Sequence, residues 1–228
     1  MFLLLDSTHR MLMQYHPRVG HMHVPRLVAR VPHETGGYLV RTNSAGFRSD
    51  LEFKEPRGER PRILVFGDSF TAGEGCENQQ RYPELLGQAL NAEVYNYGLS
   101  GSGPDQHILL YQEFAKQVEA DLIIWGISIH NIERAKLSHR PSIDRVTGKP
   151  ILVPKPYFAL EEDGLKLHHV PVPRARPDLQ AGREREYAED GHVDPRLLER
   201  LVRSPVLAGL RSTVQRSLPG IVGAGPEC

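Results

Sequence analysis

The chain has 228 residues, 39% of them apolar, with 28 Lys and Arg against 28 Asp and Glu. That length and apolar content suit one α/β domain with appendages, and the balanced charge argues against nucleic acid or an anionic membrane as a partner. Cys76 and Cys228 are the only cysteines, which excludes a disulfide framework, and Cys76 reads as a small buried thiol.

Residues 2–5 form an apolar run that Asp6 breaks. It is too short for a signal-peptide core and far too short to cross a bilayer, so a soluble, cytoplasmic protein without a transmembrane segment is the default expectation. Residues 7–61 are rich in Arg, His and Pro and carry no long periodic run. His21 and His23 lie two apart, but no third ligand follows at zinc-like spacing, so no metal or other cofactor is expected. Residues 37–42 can make a strand and residues 43–48 (Asn-Ser-Ala-Gly-Phe-Arg) a turn. Phe47 is expected to fill a hydrophobic gap and Arg48 to meet a carboxylate. The whole segment 1–61 is expected to pack on a sheet edge.

The most informative stretch is Arg-Ile-Leu-Val-Phe-Gly-Asp-Ser-Phe-Thr-Ala-Gly-Glu-Gly, residues 62–75. Residues 63–66 form the short apolar run of a strand buried on both faces. The run stops at Gly67-Asp68-Ser69, so Ser69 stands at the carboxyl end of the strand, where open α/β sheets place their chemistry. For Gly-Asp-Ser alone, an ordinary Ser-capped strand-to-helix turn is the commoner reading. A phosphate loop does not, because the glycine spacing is wrong and no Lys follows. Thr71 stands where a G-x-S-x-G elbow needs its second glycine.

Next comes a helix over 82–90, with Pro83 in its first turn and Leu85, Leu86 and Leu90 as its stripe. Residues 92–97 read as a second strand. A loop with Gly98, Gly101 and Gly103 leads from it to Pro104 and a helix predicted to run to about residue 119. Residues 121–129 are the most continuously apolar stretch and form the third strand, with His130 and Asn131 at its end. Strand, loop and helix thus alternate three times between residues 62 and 136. That pattern predicts a parallel sheet with right-handed crossovers and flavodoxin-like layering. Ser69, Gly101 and the His130–Asn131 pair then share one rim.

After residue 136 the pattern changes. Residues 157–160 and 165–170 flank Glu161-Glu162-Asp163-Gly164 and read as a hairpin. Residues 174–189 form a charged loop, 195–203 and 205–217 two amphipathic helices, and the rest a tail. Segments 1–61, 62–136 and 137–228 are therefore read as an N-terminal extension, an α/β core and a lid-like C-terminal region.

Gly-Asp-Ser-Phe-Thr-Ala-Gly-Glu-Gly resembles the first conserved block of the SGNH (GDSL-like) hydrolases, and Asn-Ser-Ala-Gly-Phe-Arg resembles a segment that larger bacterial members carry ahead of it. The resemblance implies an SGNH three-layer α/β sandwich with Ser69 as nucleophile and as an oxyanion N–H donor. Asn96-Tyr97-Gly98-Leu99-Ser100-Gly101 is similar to the second block, which implies Gly101 as the next donor. A donor must come within about 3 Å of the developing alkoxide, an approach a Cβ could block. The third block, G-x-N-D, is matched only in its Asn. That implies Asn131 as a donor, with the register open between it and His130. The family's base and orienting acid come from a late D-x-x-H block, which this sequence lacks. Asp190-Gly191-His192 is the nearest string and one residue short. On the comparison with longer members, the fold is expected to be incomplete at its C-terminus.

Two functions follow. One is an SGNH-type serine esterase acting on a small or carbohydrate-linked acyl ester, with Asp190 and His192 as acid and base. The other is a truncated or non-catalytic SGNH-fold module that binds a glycan or a protein partner.

Overall fold

The computed structural model describes residues 12–174 other than 34–35, 55, 57 and 144–149. The charged loop, both C-terminal helices, Asp190 and His192 lie outside the described residues. Two antiparallel hairpins come first, β1 (Met13–His16) with β2 (Gly20–His23), and β3 (Val28–Val31) with β4 (Tyr38–Arg41). The α/β segment follows: β5 (Arg62–Gly67), α1 (Ser69–Ala72), α2 (Tyr82–Leu90), β6 (Glu93–Asn96), α3 (Pro104–Leu110), β7 (Leu122–Gly126) and α4 (Ile129–Ala135). Two further hairpins end it, β8 (His139–Ile143) with β9 (Pro150–Pro154), and β10 (Tyr157–Glu161) with β11 (Gly164–His168).

The central three strands form a parallel sheet in the order β6-β5-β7, with Ile63 opposite both Val94 and Leu122. Every residue of β5 is buried, as its unbroken apolar run requires. Leu64 and Phe66 face one side, with Val19, Met22, Phe47, Tyr97, Leu109 and Leu110 packed over them. Ile63 and Val65 face the other, against Val94 and the partly buried Leu86 of α2. Phe66 stacks between Tyr97 and Trp125, at 4.8 and 4.7 Å between ring centres. Phe53 stacks on Tyr95 at 4.4 Å. Aromatic rings from before the first sheet strand therefore cover one sheet face.

Two predicted elements differ. The helix after Gly103 is α-helical only to Leu110 and then widens into a π-helical turn, Tyr111–Ala115. Leu110 and Ala115 are both buried yet five residues apart, a spacing that reaches one face only in the wider turn. The third strand is shorter than predicted and runs along the edge of the described sheet. Leu122 and Trp125 keep 44% and 38% of their surface exposed, so this apolar run is not a strand buried on both faces. Among the described residues no helix is long and apolar enough to cross a membrane.

Arg48 is 2% exposed and meets carbonyls rather than a carboxylate. Its Nη1 donates to Ala72 O at 3.0 Å and to Gly73 O. Its Nη2 donates to Cys76 O and to Leu39 O, its Nε to Asn78 Oδ1 at 2.9 Å, and its plane covers Tyr38. Burial, and Arg81 beside it, lower its pKa to about 10, so it stays a cation at neutral pH. We predict that Arg48→Met destabilises the fold by about 3 kcal/mol or more, since several buried acceptors lose their donor at about 1–3 kcal/mol each. Arg48→Lys should recover only part, because an ammonium lacks the planar fork. Urea unfolding midpoints check both.

Candidate active site

The rim of the sheet is built around glycines. Gly67 ends β5, Gly126 ends β7, and Gly98 follows β6 by two residues. A Cβ on Gly67 would overlap the Thr71 side chain. One on Gly98 would lie 2.5 Å from Ala72 N, and one on Gly126 would lie 2.9 Å from both Thr71 Oγ1 and Tyr82 Oη. The missing side chains thus open the seat in which the single turn α1 lies across all three strand ends. Asn96 Nδ2 donates to Thr71 O at 2.9 Å and Thr71 Oγ1 meets Tyr82 Oη at 2.9 Å, which fixes the turn on its seat.

Asp68 joins the three strand ends. Its Oδ1 accepts from Phe70 N at 3.0 Å, the N-cap bond of α1. Its Oδ2 accepts from Asn131 Nδ2 at 2.8 Å, from Arg134 Nη1 at 3.3 Å and from Ser128 Oγ at 3.4 Å. Arg134 Nη1 also donates to Ser102 O at 3.3 Å. One guanidinium therefore bridges the turn after β5 and the loop after β6, from a helix that begins after β7. Asn131 is fully buried, and its Oδ1 accepts from Ser128 N at 2.8 Å. The residue read from the sequence as an oxyanion donor thus spends one amide proton on Asp68 and its carbonyl on the start of α4.

Ser69 is partly exposed at the first position of α1. Neither its hydroxyl nor its N–H, nor the N–H of Gly101, has a hydrogen-bond partner among the described residues. The loop carrying Gly101 continues the pairing with β5, through Tyr97 N to Val65 O at 2.7 Å and Leu99 N to Gly67 O at 2.9 Å. Gly101 has a φ of +73°, and an added Cβ would meet nothing within 4 Å. Glycine is needed there for its left-handed backbone, not because a Cβ would crowd the protein around it.

The flanking serines are held from below. Ser100 O accepts from the His21 ring, Nε2 at 2.8 Å. Ser102 Oγ donates to Leu99 O at 2.5 Å and meets His107 Nε2 at 2.8 Å. Ser102 is fully buried with its proton committed to a carbonyl, so this Ser–His contact is a structural brace. His130 is exposed on α4. Arg134 was not singled out from the sequence, although it lies three residues beyond Asn131 and therefore on the same helical face. His21 carried no such signal, since its partner is 79 residues away.

No protein-family model matches the sequence, and no curated protein does. Among solved structures, the chain is similar to the one described as "AlinE4, a SGNH-hydrolase family esterase". Identity is 29%, the TM-score is 0.32, and the match covers 36% of this chain and 47% of that one. A mutant of AlinE4 matches at 28% identity and a TM-score of 0.31, over 35% of this chain and 46% of that one. The chain thus spans less than half the length of the solved structures it matches.

Burial moves His107 from an ordinary 6.5 down to about 4, against the pull of the Asp68 carboxylate. Between those pH values the unfolded chain holds the proton and the folded chain does not, so stability falls as pH falls through that window. The expected contribution is on the order of 1 kcal/mol per pH unit. His107→Phe removes it. Urea unfolding of both proteins from pH 6.5 to 4 should give a shallower decline for the variant; parallel declines would mean a solvated imidazole.

Proposed function

We propose that the chain is an SGNH-type serine hydrolase acting on ester bonds of small or carbohydrate-linked acyl groups. The observation that carries this reading is the convergence at one sheet rim. Ser69 stands at the carboxyl end of the central parallel strand with its hydroxyl and N–H unpartnered among the described residues, beside a loop whose Gly101 N–H is also unpartnered there. The string around Ser69 adds the family resemblance.

In this reading Ser69 Oγ attacks the acyl carbon and passes its proton to a base. The carbonyl oxygen becomes an oxyanion held by the Ser69 and Gly101 N–H groups. The second amide proton of Asn131 is a third donor, with the first, on Asp68, setting its orientation. The alcohol leaves with the proton from the base, and water releases the acid from Ser69. His192 is the proposed base and Asp190 its orienting acid. Arg134 and Asp68 are positioning residues in this scheme, because they hold the strand ends together rather than touch the ester.

One observation favours a second reading, a non-catalytic module that binds a glycan or protein partner. Among the described residues no imidazole hydrogen-bonds to Ser69 Oγ. Hydrolysis of p-nitrophenyl acetate and butyrate by the 228-residue chain separates the two. The hydrolase reading predicts turnover that Ser69→Ala and His192→Ala both abolish. It predicts that Asn131→Ala lowers kcat by on the order of 100-fold, as loss of one oxyanion donor does. A folded wild-type chain no faster than Ser69→Ala would overturn it in favour of the binding module.

A further inference from the structure

A buried ion pair stands at the far end of the loop that carries Gly101. Lys155 lies between β9 and β10, and Asp105 is the second residue of α3. Their side chains are 2% and 3% exposed, and the ammonium donates to Asp105 Oδ2. Burial pushes the Asp105 carboxyl up and the Lys155 ammonium down, each against the pull of the other's charge.

Each partner is anchored on its own side. Lys155 N donates to Ser138 O at 3.0 Å, the His169 ring meets Lys155 O at 3.1 Å, and Nζ also donates to Pro156 O at 3.1 Å. The ammonium therefore comes from a junction held by residues 138 and 169. Asp105 Oδ1 accepts from Gln106 N at 2.9 Å. It lies so close to Gly103 that a Cβ there would come within 2.8 Å of it. Gln106 is fully buried, accepts from Gly103 N at 3.2 Å and donates from Nε2 to Val19 O at 2.7 Å. The pair thus ties the β9–β10 junction to the residue at which the Gly101 loop becomes α3.

A buried ion pair adds little net stability, because desolvation consumes most of the attraction and apolar side chains of similar volume often do as well. What it adds is a fixed geometry, since a charge-assisted hydrogen bond is short and directional. We propose that Lys155 is a positioning residue, which through Asp105 holds Gly103 and so sets the place of the Gly101 N–H at the candidate site. Its effect on catalysis rests on the hydrolase reading; its effect on the loop does not.

The test compares the full chain as wild type, as Lys155→Met, and as Lys155→Met with Asp105→Asn. The single variant leaves a buried carboxylate unpaired and should unfold at lower urea. The double variant removes both charges, and its Asn keeps an oxygen for Gln106 N, so its midpoint should return near wild type. Amide hydrogen exchange then reads the loop through Ser102 N and Gly103 N, which are bonded to Leu99 O and Gln106 Oε1. In the double variant both should exchange about tenfold or more faster while residues 64–66 of β5 stay protected, the mark of a local opening. With p-nitrophenyl butyrate, kcat of the double variant should fall by on the order of tenfold or more with KM little changed, since a misplaced donor fails the transition state rather than the bound ester. Unchanged exchange at Ser102 and Gly103 would overturn the proposal, as would a rise matched in β5 or, in an active enzyme, an unchanged kcat. So would a double variant whose midpoint stays as low as that of the single one, because the pair would then hold the fold rather than the loop. A wild-type chain without turnover removes the hydrolase reading, and the exchange comparison still decides whether Lys155 positions the loop.

Discussion

The carboxylate of Asp68 is the constraint on which the rim depends. It is almost wholly buried, with a side chain 4% exposed, and a buried charge is tolerated only when its lone pairs are met. One oxygen meets the α1 backbone and the other meets Asn131 and Arg134. Those donors come from the elements that follow two paired strands, β5 and β7. Satisfying one anion therefore sets the distance between the turn after β5 and the helix after β7. Through Arg134 and Ser102 O it also reaches the loop after β6.

The far side of the same turn is held by cations. Arg48 and Arg81 both donate to Ala72 O, and Arg81 also donates to Arg48 O. Two adjacent guanidiniums repel, and burial penalises each. What offsets this is a set of carbonyl dipoles at the carboxyl end of α1, together with Glu84 beside Arg81. Asp68 at the start of the turn and Arg48 at its end thus clamp four residues whose own hydrogen bonds are too few to hold a helix. The segment before residue 62 is accordingly part of the site's framework, since Arg48 comes from it.

Much of this was legible in the sequence where the signal is local. The unbroken apolar run of β5 dictated a strand buried on both faces, the Pro83 start and leucine stripe dictated α2, and strand–loop–helix alternation dictated the parallel sheet. The hairpin β10–β11 followed from its Asp-Gly turn. What was not legible depends on distant partners. The apolar run of residues 121–129 read as a strand, yet apolar composition does not say whether a strand lies at the centre or at the edge. The β1–β2 and β8–β9 hairpins carry polar, proline-rich sequence, and their pairing is decided by tertiary packing, which overrides weak β propensity. Arg48 read as a partner for a carboxylate because charge invites opposite charge, whereas a buried bend offered it five oxygens instead. The roles assigned to Ser69, Gly101 and Asn131 came from motif resemblance, and the positions of those residues on one rim came from topology.

The two buried histidines give that rim its last constraint. His21 faces the carbonyl of Ser100 and His107 faces the hydroxyl of Ser102, so neutral imidazoles stand on either side of Gly101. Both are driven well below their ordinary 6.5 by burial, which keeps each ring a fixed donor–acceptor instead of a mobile cation. Gly101 has the widest backbone freedom of any residue type and would lose much entropy on adopting its left-handed conformation. Bracing its two neighbours moves that cost into folding, so the backbone of this loop is already ordered in the folded chain. The same bracing explains why a Ser–His contact can sit beside Gly101 without being a nucleophile and its base: Ser102 is locked to Leu99 O, and its task is to hold the loop still.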